Sequence, residues 1–196
     1  MELKKYFAEL VGTFFLTLAV SLSILLGSVI STPVVAALTL GVCVYTLGPV
    51  SGAHFNPAIS LAMAAVDKMK VKESIMYIVF QLIGAVLAML LAGVIAGEMV
   101  NLEAQSGWQV GLAEMAGAAI LAFGVSSVAF GKVRDEAAGL VVGGSLLIGL
   151  IVTAGKSNAI LNPAVAIGLG SMSFMYLLAP IVGAALAAWV YRSIVE

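Results

Sequence analysis

Long apolar runs separated by short polar segments make up most of the chain. Six of these runs are about 20 residues long, enough for a helix to cross a bilayer core of roughly 30 Å. They lack the strict apolar–polar alternation of barrel strands. The pattern predicts six transmembrane helices, at residues 6–27, 34–50, 74–96, 108–130, 137–154 and 175–194. Two further apolar segments, 56–66 and 162–170, are too short to cross and predict half-helices.

Each short segment begins with the tripeptide Asn-Pro-Ala. The Asn side chain can cap the first turn of a helix, and Pro suits the first helical position because that position needs no N–H. One such tripeptide is an ordinary helix start, but two at matching places indicate a paired site. The two tripeptides are Asn56, Pro57 and Ala58, and Asn162, Pro163 and Ala164.

The two halves of the chain repeat each other. The segment AELVG at 8–12 recurs as AEMAG at 113–117, and an Asn-Pro-Ala site follows each at nearly the same distance. Residues 1–100 and 101–196 each hold three predicted spans and one half-helix, within one structural domain. Because three is odd, the second half must be inverted relative to the first. An inverted 3+3 repeat with short helices points to a site near the bilayer midplane.

The composition fits a membrane protein. Of 196 residues, 62% are hydrophobic and only 10% charged, with a mean hydropathy of +1.17, whereas soluble domains carry roughly 25% charged residues. The net charge of -1 disfavours nucleic acid as a partner. One His and scattered carboxylates predict no metal site and no cofactor, and a single Cys43 excludes an intrachain disulfide.

The basic residues predict the orientation. With the N-terminus inside, eight of the nine Lys and Arg residues fall on the cytoplasmic side, and only Lys156 falls outside. Short loops follow this positive-inside bias, so we expect both termini in the cytoplasm and the chain in the cell (plasma or inner) membrane. The eight residues are Lys4, Lys5, Lys68, Lys70, Lys72, Lys132, Arg134 and Arg192.

Two half-helices that meet at midplane would form a neutral-solute path. Each helix N-terminus carries about half a positive charge, so two of them repel cations. Non-helical backbone at membrane depth must be buried or line a wet cavity, and the loops 51–55 and 157–161 therefore predict a water-filled passage. If its own backbone holds each Asn oxygen, the NH₂ groups of Asn56 and Asn162 are free to donate to a passing water.

These residues resemble the aquaporin and aquaglyceroporin (major intrinsic protein) family over essentially the whole chain. The resemblance rests on the paired Asn-Pro-Ala sites, the Ser-Gly-Ala-His of 51–54, the two Ala-Glu-x-x-Gly openings, and the patterns around Gln81 and Pro180. It implies six spans, two re-entrant half-helices, a pore in each protomer and usually a homotetramer. Cation exclusion by half-helix dipoles is the mechanism known for such channels.

The chain departs from this family at the selectivity filter. Such channels have an Arg three residues after the second Asn, where this chain has Val165, so it reads as an atypical short member. Without the Arg, the pore loses a fixed cation and its donors, and we expect weak selection among water, glycerol, urea and ammonia. The expected filter residues are all apolar: Val165, Ala159, Ala36 (or Leu40 if four residues are missing) and Leu150 (or Ile151).

The remaining polar residues have structural and functional interpretations. Glu9 and Glu114 lie within spans, where charges are costly and usually functional. Their repeat symmetry favours carboxylates that hold loop N–H groups over proton carriers. His54 is expected to brace the loop and line the pore, with a pH gate as the alternative. Gln81 is expected to form an interhelical hydrogen bond.

Two other functions stay open beside the channel. A secondary transporter can use the same inverted repeat, but it needs coupling-ion ligands, for which only Glu9 and Glu114 are candidates. A structural membrane protein with a closed pore is the third possibility. An enzyme is not expected, because the sequence shows no Ser/His, His-Glu-x-x-His or paired-Asp arrangement.

Overall fold

A computed structural model describes residues 2–196, which form helices and connecting loops and contain no strand. Six helical segments of the described chain are long and apolar enough to cross a membrane. They are residues 3–25, 32–51, 71–96, 108–129, 135–153 and 174–195. The chain is therefore a multi-pass membrane protein with the predicted number of spans. The helices are α1 Glu2–Leu25, α2 Thr32–Ser51, α3 Pro57–Ala65, α4 Val71–Ala96, α5 Trp108–Ala129, α6 Asp135–Thr153, α7 Pro163–Gly168, α8 Phe174–Leu177 and α9 Ala179–Val195.

The two predicted half-helices are present as α3 and α7. Both begin at a Pro, after an Asn with extended backbone (φ −156° at Asn56 and −145° at Asn162). They contain 9 and 6 residues, so neither can cross a bilayer. This confirms the prediction of two short helices beside six spans.

The sixth span is not the continuous helix that the apolar run predicts. It is divided into α8 and α9, with the break at Leu178. Pro180 explains the break, because proline lacks the N–H that would bond to Tyr176, four residues earlier, and its ring clashes with that carbonyl. Leu178 N–H still donates to the carbonyl of Phe174 (2.9 Å), so the two pieces stay joined as one crossing.

Equivalent helix pairs pack closely in the two halves. α1 lies along α4, and α5 lies along α9. At the first pair a Cβ on Gly84 would overlap the carbonyl of Leu10, and at the second a Cβ on Gly183 would overlap that of Met115. Only glycine permits such backbone approach between membrane helices. An inverted repeat is expected to show the same glycine contact at matching positions. The division of the chain at residue 100 stays a prediction.

The spans run between two faces of the molecule. α1, α4 and α6 begin at one face, and α2, α5 and α9 end there. We name it the terminal face, because both ends of the described chain (residues 2–5 and 192–196) lie on it. The opposite face, the linker face, carries residues 26–31, 97–107 and 154–158. α3 runs from midplane toward the terminal face, and α7 runs toward the linker face.

Basic residues concentrate on the terminal face. The eight predicted positions lie in segments at this face, and Lys156 lies at the linker face. Their contacts tie the ends of several helices together: Lys5 with Glu73, Arg192 with Asp67 (2.8 Å), and the Lys68 ammonium over the Phe130 ring (3.8 Å). The positive-inside rule assigns this face to the cytoplasm, which stays a prediction.

Candidate functional site

The two Asn-Pro-Ala segments meet in the middle of the molecule. Asn56 Oδ1 accepts a hydrogen bond from the N–H of Ala58 (2.9 Å), and Asn162 Oδ1 accepts one from that of Ala164 (3.0 Å). Each Asn therefore caps its own short helix, which satisfies one of the N–H groups that a helix start leaves unpaired. Pro57 and Pro163 occupy the first helical positions.

Each Asn amide also binds the loop of the other half. Asn56 Nδ2 donates to the carbonyl of Leu161 (3.0 Å), and Asn162 Nδ2 donates to the carbonyl of Phe55 (2.9 Å). The expectation of fully free NH₂ groups is therefore wrong in part, because one N–H of each amide is already used. An amide nitrogen carries two hydrogens, so one donor per Asn remains for the pore.

Two buried carboxylates hold the loops before the half-helices. Glu9 is fully buried and accepts hydrogen bonds from the hydroxyl of Ser51 (2.7 Å) and the N–H groups of His54 (3.0 Å) and Phe55 (2.7 Å). Glu114 repeats the pattern in the second half, with Ser157 (2.6 Å), Ile160 (3.1 Å) and Leu161 (2.7 Å). Each carboxylate thus satisfies buried backbone N–H groups that the hydrocarbon region of a bilayer could not satisfy.

The loops adopt an unusual backbone. Non-glycine residues with positive φ are uncommon, and each costs on the order of 1–3 kcal/mol. Among the described residues, the carbonyls of 52–54 and 158–160 receive no hydrogen bond from the protein. His54 and residues 158–160 line the cavity, so their carbonyls are candidate acceptors for a solute. The four left-handed loop residues are Ala53 (54°), Phe55 (47°), Ala159 (51°) and Leu161 (58°).

A cavity of about 130 Å³ passes both asparagines. Both halves contribute to its wall, and most of the side chains are apolar. It opens at the linker face, where the lining residues Ile24 and Ala154 are exposed. A water in such a cavity needs polar partners, and five lining residues supply them. The polar lining residues are Thr32, His54, Asn56, Asn158 and Asn162.

The expected filter residues lie together on the linker-face side of this cavity. In α2, Leu40 lines the wall as well, one turn from Ala36. In α6, the alternative residue Ile151 is 61% exposed on the outer surface, whereas Leu150 is buried. The four residues that line the cavity as expected are Ala36, Leu150, Ala159 and Val165.

Polar neighbours brace the first loop. His54 lines the cavity, its Nδ1 lies 3.1 Å from the Ser60 hydroxyl, and its ring packs edge-on against Tyr77. Gln81 Nε2 donates to Glu9 (2.7 Å) and to Ser60 (3.0 Å), so it joins α4 to α1 and α3.

Ser51 and Ser157 were missed as loop supports by the sequence reasoning. Each lies five residues before its Asn, and this equal spacing is the signal that could have found them.

Comparison with known proteins agrees with this geometry. The sequence model of the family described as "Major intrinsic protein" matches residues 1–191. The chain belongs to this family. This channel is 33% identical to aquaporin NIP1-2 of Arabidopsis thaliana, over 98% of this chain and 74% of the relative. It is 34% identical to nodulin-26 of Glycine max, over 97% of this chain and 77% of the relative. It is 29% identical to aquaporin AqpM of Methanothermobacter thermautotrophicus, over 96% of this chain and 96% of the relative.

A solved structure supports the fold. The X-ray structure of the aquaglyceroporin from Plasmodium falciparum matches this channel with a TM-score of 0.79 and 20% sequence identity, over 100% of this chain and 97% of that one. The fold is thus the aquaporin fold of six spans and two half-helices. With the family established, the chain is a passive membrane channel for water and small solutes, and it is not an enzyme.

Proposed function

We propose that this channel conducts water together with small uncharged solutes of the glycerol, urea or ammonia type, and that it selects weakly between them. The observation that carries the proposal is the apolar wall beside the second Asn-Pro-Ala site, where Val165 and Ala159 stand in place of a charged constriction. An arginine there would supply a cation and several donors to passing water. Without it, larger and less polar solutes meet neither a narrow ring nor a charge.

Ion exclusion rests on the two half-helices. Their N-terminal ends point at the same part of the cavity, and Asn56 and Asn162 each offer one remaining N–H. Positive helix ends oppose a cation that has shed its water, whereas a neutral solute can bond to the amides and to the loop carbonyls. Proton exclusion would depend on these dipoles alone, because no Lys or Arg of residues 2–196 lines the cavity.

The bonding of the buried carboxylates disfavours a secondary transporter. Such a protein needs ligands for a coupling ion near midplane. Glu9 and Glu114 are the candidates, and each already accepts three or more hydrogen bonds from the protein. Neither is among the cavity-lining residues. The cavity reaches both asparagines from the linker face, and the swelling assay below distinguishes an open channel from the closed-pore alternative.

The assembly and placement we propose are those of the family: a homotetramer in the plasma or inner membrane, with a pore in each protomer, no cofactor and no nucleic acid partner. Both termini would face the cytoplasm, since eight of nine basic residues lie at the terminal face. The two halves, 1–100 and 101–196, would be inverted repeats within one domain, as their matching loop contacts suggest.

The experiment compares Val165→Arg with the wild-type channel in proteoliposomes. Stopped-flow light scattering measures shrinkage from water efflux and re-swelling from urea or glycerol entry. We expect the variant to lower solute permeability by about tenfold and water permeability by much less, because the guanidinium narrows the ring but donates to water.

Val165→Met is the matched control, because methionine is a long, flexible side chain like arginine but carries no charge and no hydrogen-bond donor. Unchanged solute entry through a correctly folded Val165→Arg channel would refute the proposed filter. Wild-type swelling identical to that of empty vesicles would refute the channel activity itself.

A further inference from the structure

The loops and half-helices carry matching residues on both sides of the asparagines. Counted from each Asn, Ala53 corresponds to Ala159, and both have positive φ. The residue three positions after Asn162 is Val165, the expected filter residue. The residue three positions after Asn56 is Ile59. Since α3 and α7 run in opposite directions from midplane, these two side chains stand on opposite sides of the Asn pair.

Ile59 lines the same cavity as Val165. Its exposed fraction is 1%, against 5% for Val165. The half-helix geometry is the same at both places, with an Asn cap, a Pro and then an Ala before the lining residue. A residue at this position therefore projects into the passage one turn beyond the asparagines, toward the terminal face in α3 and toward the linker face in α7.

The terminal-face side of the cavity has the bulkier wall. On the linker-face side, two of the four expected filter residues are alanines, Ala36 and Ala159, and the other two are Val165 and Leu150. On the terminal-face side it contains Ile59 and the branched side chains of Val125 and Val142, which lie in the terminal-face halves of α5 and α6 and are 8% and 4% exposed.

His54, two residues before Asn56, adds its imidazole to this side of the wall. The linker-face end reaches the exposed residue Ala154, whereas Ile59, Val125 and Val142 at the other end are all buried. We therefore expect the passage to be narrower at Ile59 than at its mouth on the linker face.

We infer that Ile59 is a second size-determining residue of this channel, and that with Val165 in place of arginine it forms the tighter of the two barriers. The inference rests on the proposed function, since it concerns which neutral solutes pass. Branched apolar side chains on the terminal-face side of the asparagines then limit the size of the solutes that pass. The barrier rejects by shape, because it offers neither a charge nor a donor apart from His54.

The test compares four single variants with wild type in proteoliposomes: Ile59→Ala, Ile59→Val, Val165→Ala and Met63→Ala. Water, urea, glycerol and a four-carbon polyol serve as probes of increasing size. Met63 is the matched control, because it lies one turn further along α3, is 1% exposed, and does not line the cavity. Its truncation reports any general loosening of the half-helix.

We expect Ile59→Ala to raise the permeability to glycerol and the polyol, relative to water, by about tenfold, the scale on which apolar pockets discriminate by size. Ile59→Val should raise the same permeability ratio by a smaller factor, so the inference can still be tested if the Ala variant folds poorly. Val165→Ala should change the ratio by about twofold or less, because it widens a segment that is already wide.

Two outcomes would overturn the inference in distinguishable ways. If wild type conducts but Ile59→Ala behaves like Met63→Ala while Val165→Ala raises solute entry, the barrier lies at Val165 and only this inference fails. If no protein, wild type included, conducts more than empty vesicles, the proposed function fails and the inference fails with it.

Discussion

Replacing Glu114 by Gln tests how the second loop is held. One carboxylate oxygen accepts from the Ser157 hydroxyl and the N–H of Ile160, and the other accepts from the N–H of Leu161. An amide has one oxygen and one NH₂ group. In either orientation, the NH₂ of the Gln faces a loop N–H donor, so one buried backbone donor loses its acceptor.

The expected cost follows from that count. Loss of a hydrogen bond to a charged group, which leaves a buried donor unsatisfied, costs about 2–3 kcal/mol. For a chain of this size, the midpoint of thermal unfolding should fall by about 4–12 °C. Water permeability should fall as well, because the loop that places Asn162 is no longer fixed. Differential scanning fluorimetry in detergent and stopped-flow light scattering measure the two effects.

Glu98→Gln is the matched control, since Glu98 is exposed at the linker face. If Glu114→Gln and Glu98→Gln share the same midpoint and permeability, then Glu114 does not hold the loop. An unchanged midpoint with a changed proton flux would instead support the proton-carrier interpretation. Glu9→Gln repeats the experiment in the first half, where the carboxylate also accepts from Gln81 (2.7 Å).

Three further substitutions test helix packing and the asparagine donors. Gly117→Ala would place a Cβ 2.5 Å from Leu161 Cδ2 and 2.9 Å from a backbone oxygen of α6, so unfolding stability should fall by about 1–3 kcal/mol. Gly144→Ala, with no atom within 4 Å of the new Cβ, should be neutral or stabilising by up to about 1 kcal/mol, and equal thermal midpoints for the two would contradict this. Asn162→Asp keeps the helix cap but sets an oxygen against the Phe55 carbonyl. It should therefore lower the thermal midpoint and raise the cation leak of proteoliposomes, and an unaltered leak would count against the role of the asparagine donors.

The helices were predictable from the sequence because membrane spans and caps are local signals. Span length follows from the bilayer, and Asn followed by Pro marks a helix start by its own backbone chemistry. The break at Leu178 was missed because the apolar run continues through it. Only the missing N–H of Pro180, not the hydropathy, marks the interruption.

The contacts between the halves could not be predicted from local signals. That Asn56 donates to Leu161 depends on where two segments of distant sequence meet, and neither segment encodes the other's position. The choice between Leu150 and Ile151 is of the same kind, since one residue of helical rotation decides which of them faces the cavity. Repeat symmetry did carry information across this distance, because it suggested a shared loop role for Glu9 and Glu114.

The exchange of amide bonds between the halves has a consequence for biogenesis. Each loop is completed by a donor that the other half supplies, and the walls of the conduit come from both. A nascent chain that has inserted only its first three transmembrane helices therefore has no complete passage. We therefore expect the bilayer to stay sealed while only the first half is inserted, and permeability to arise once the last helices have closed around the two asparagines.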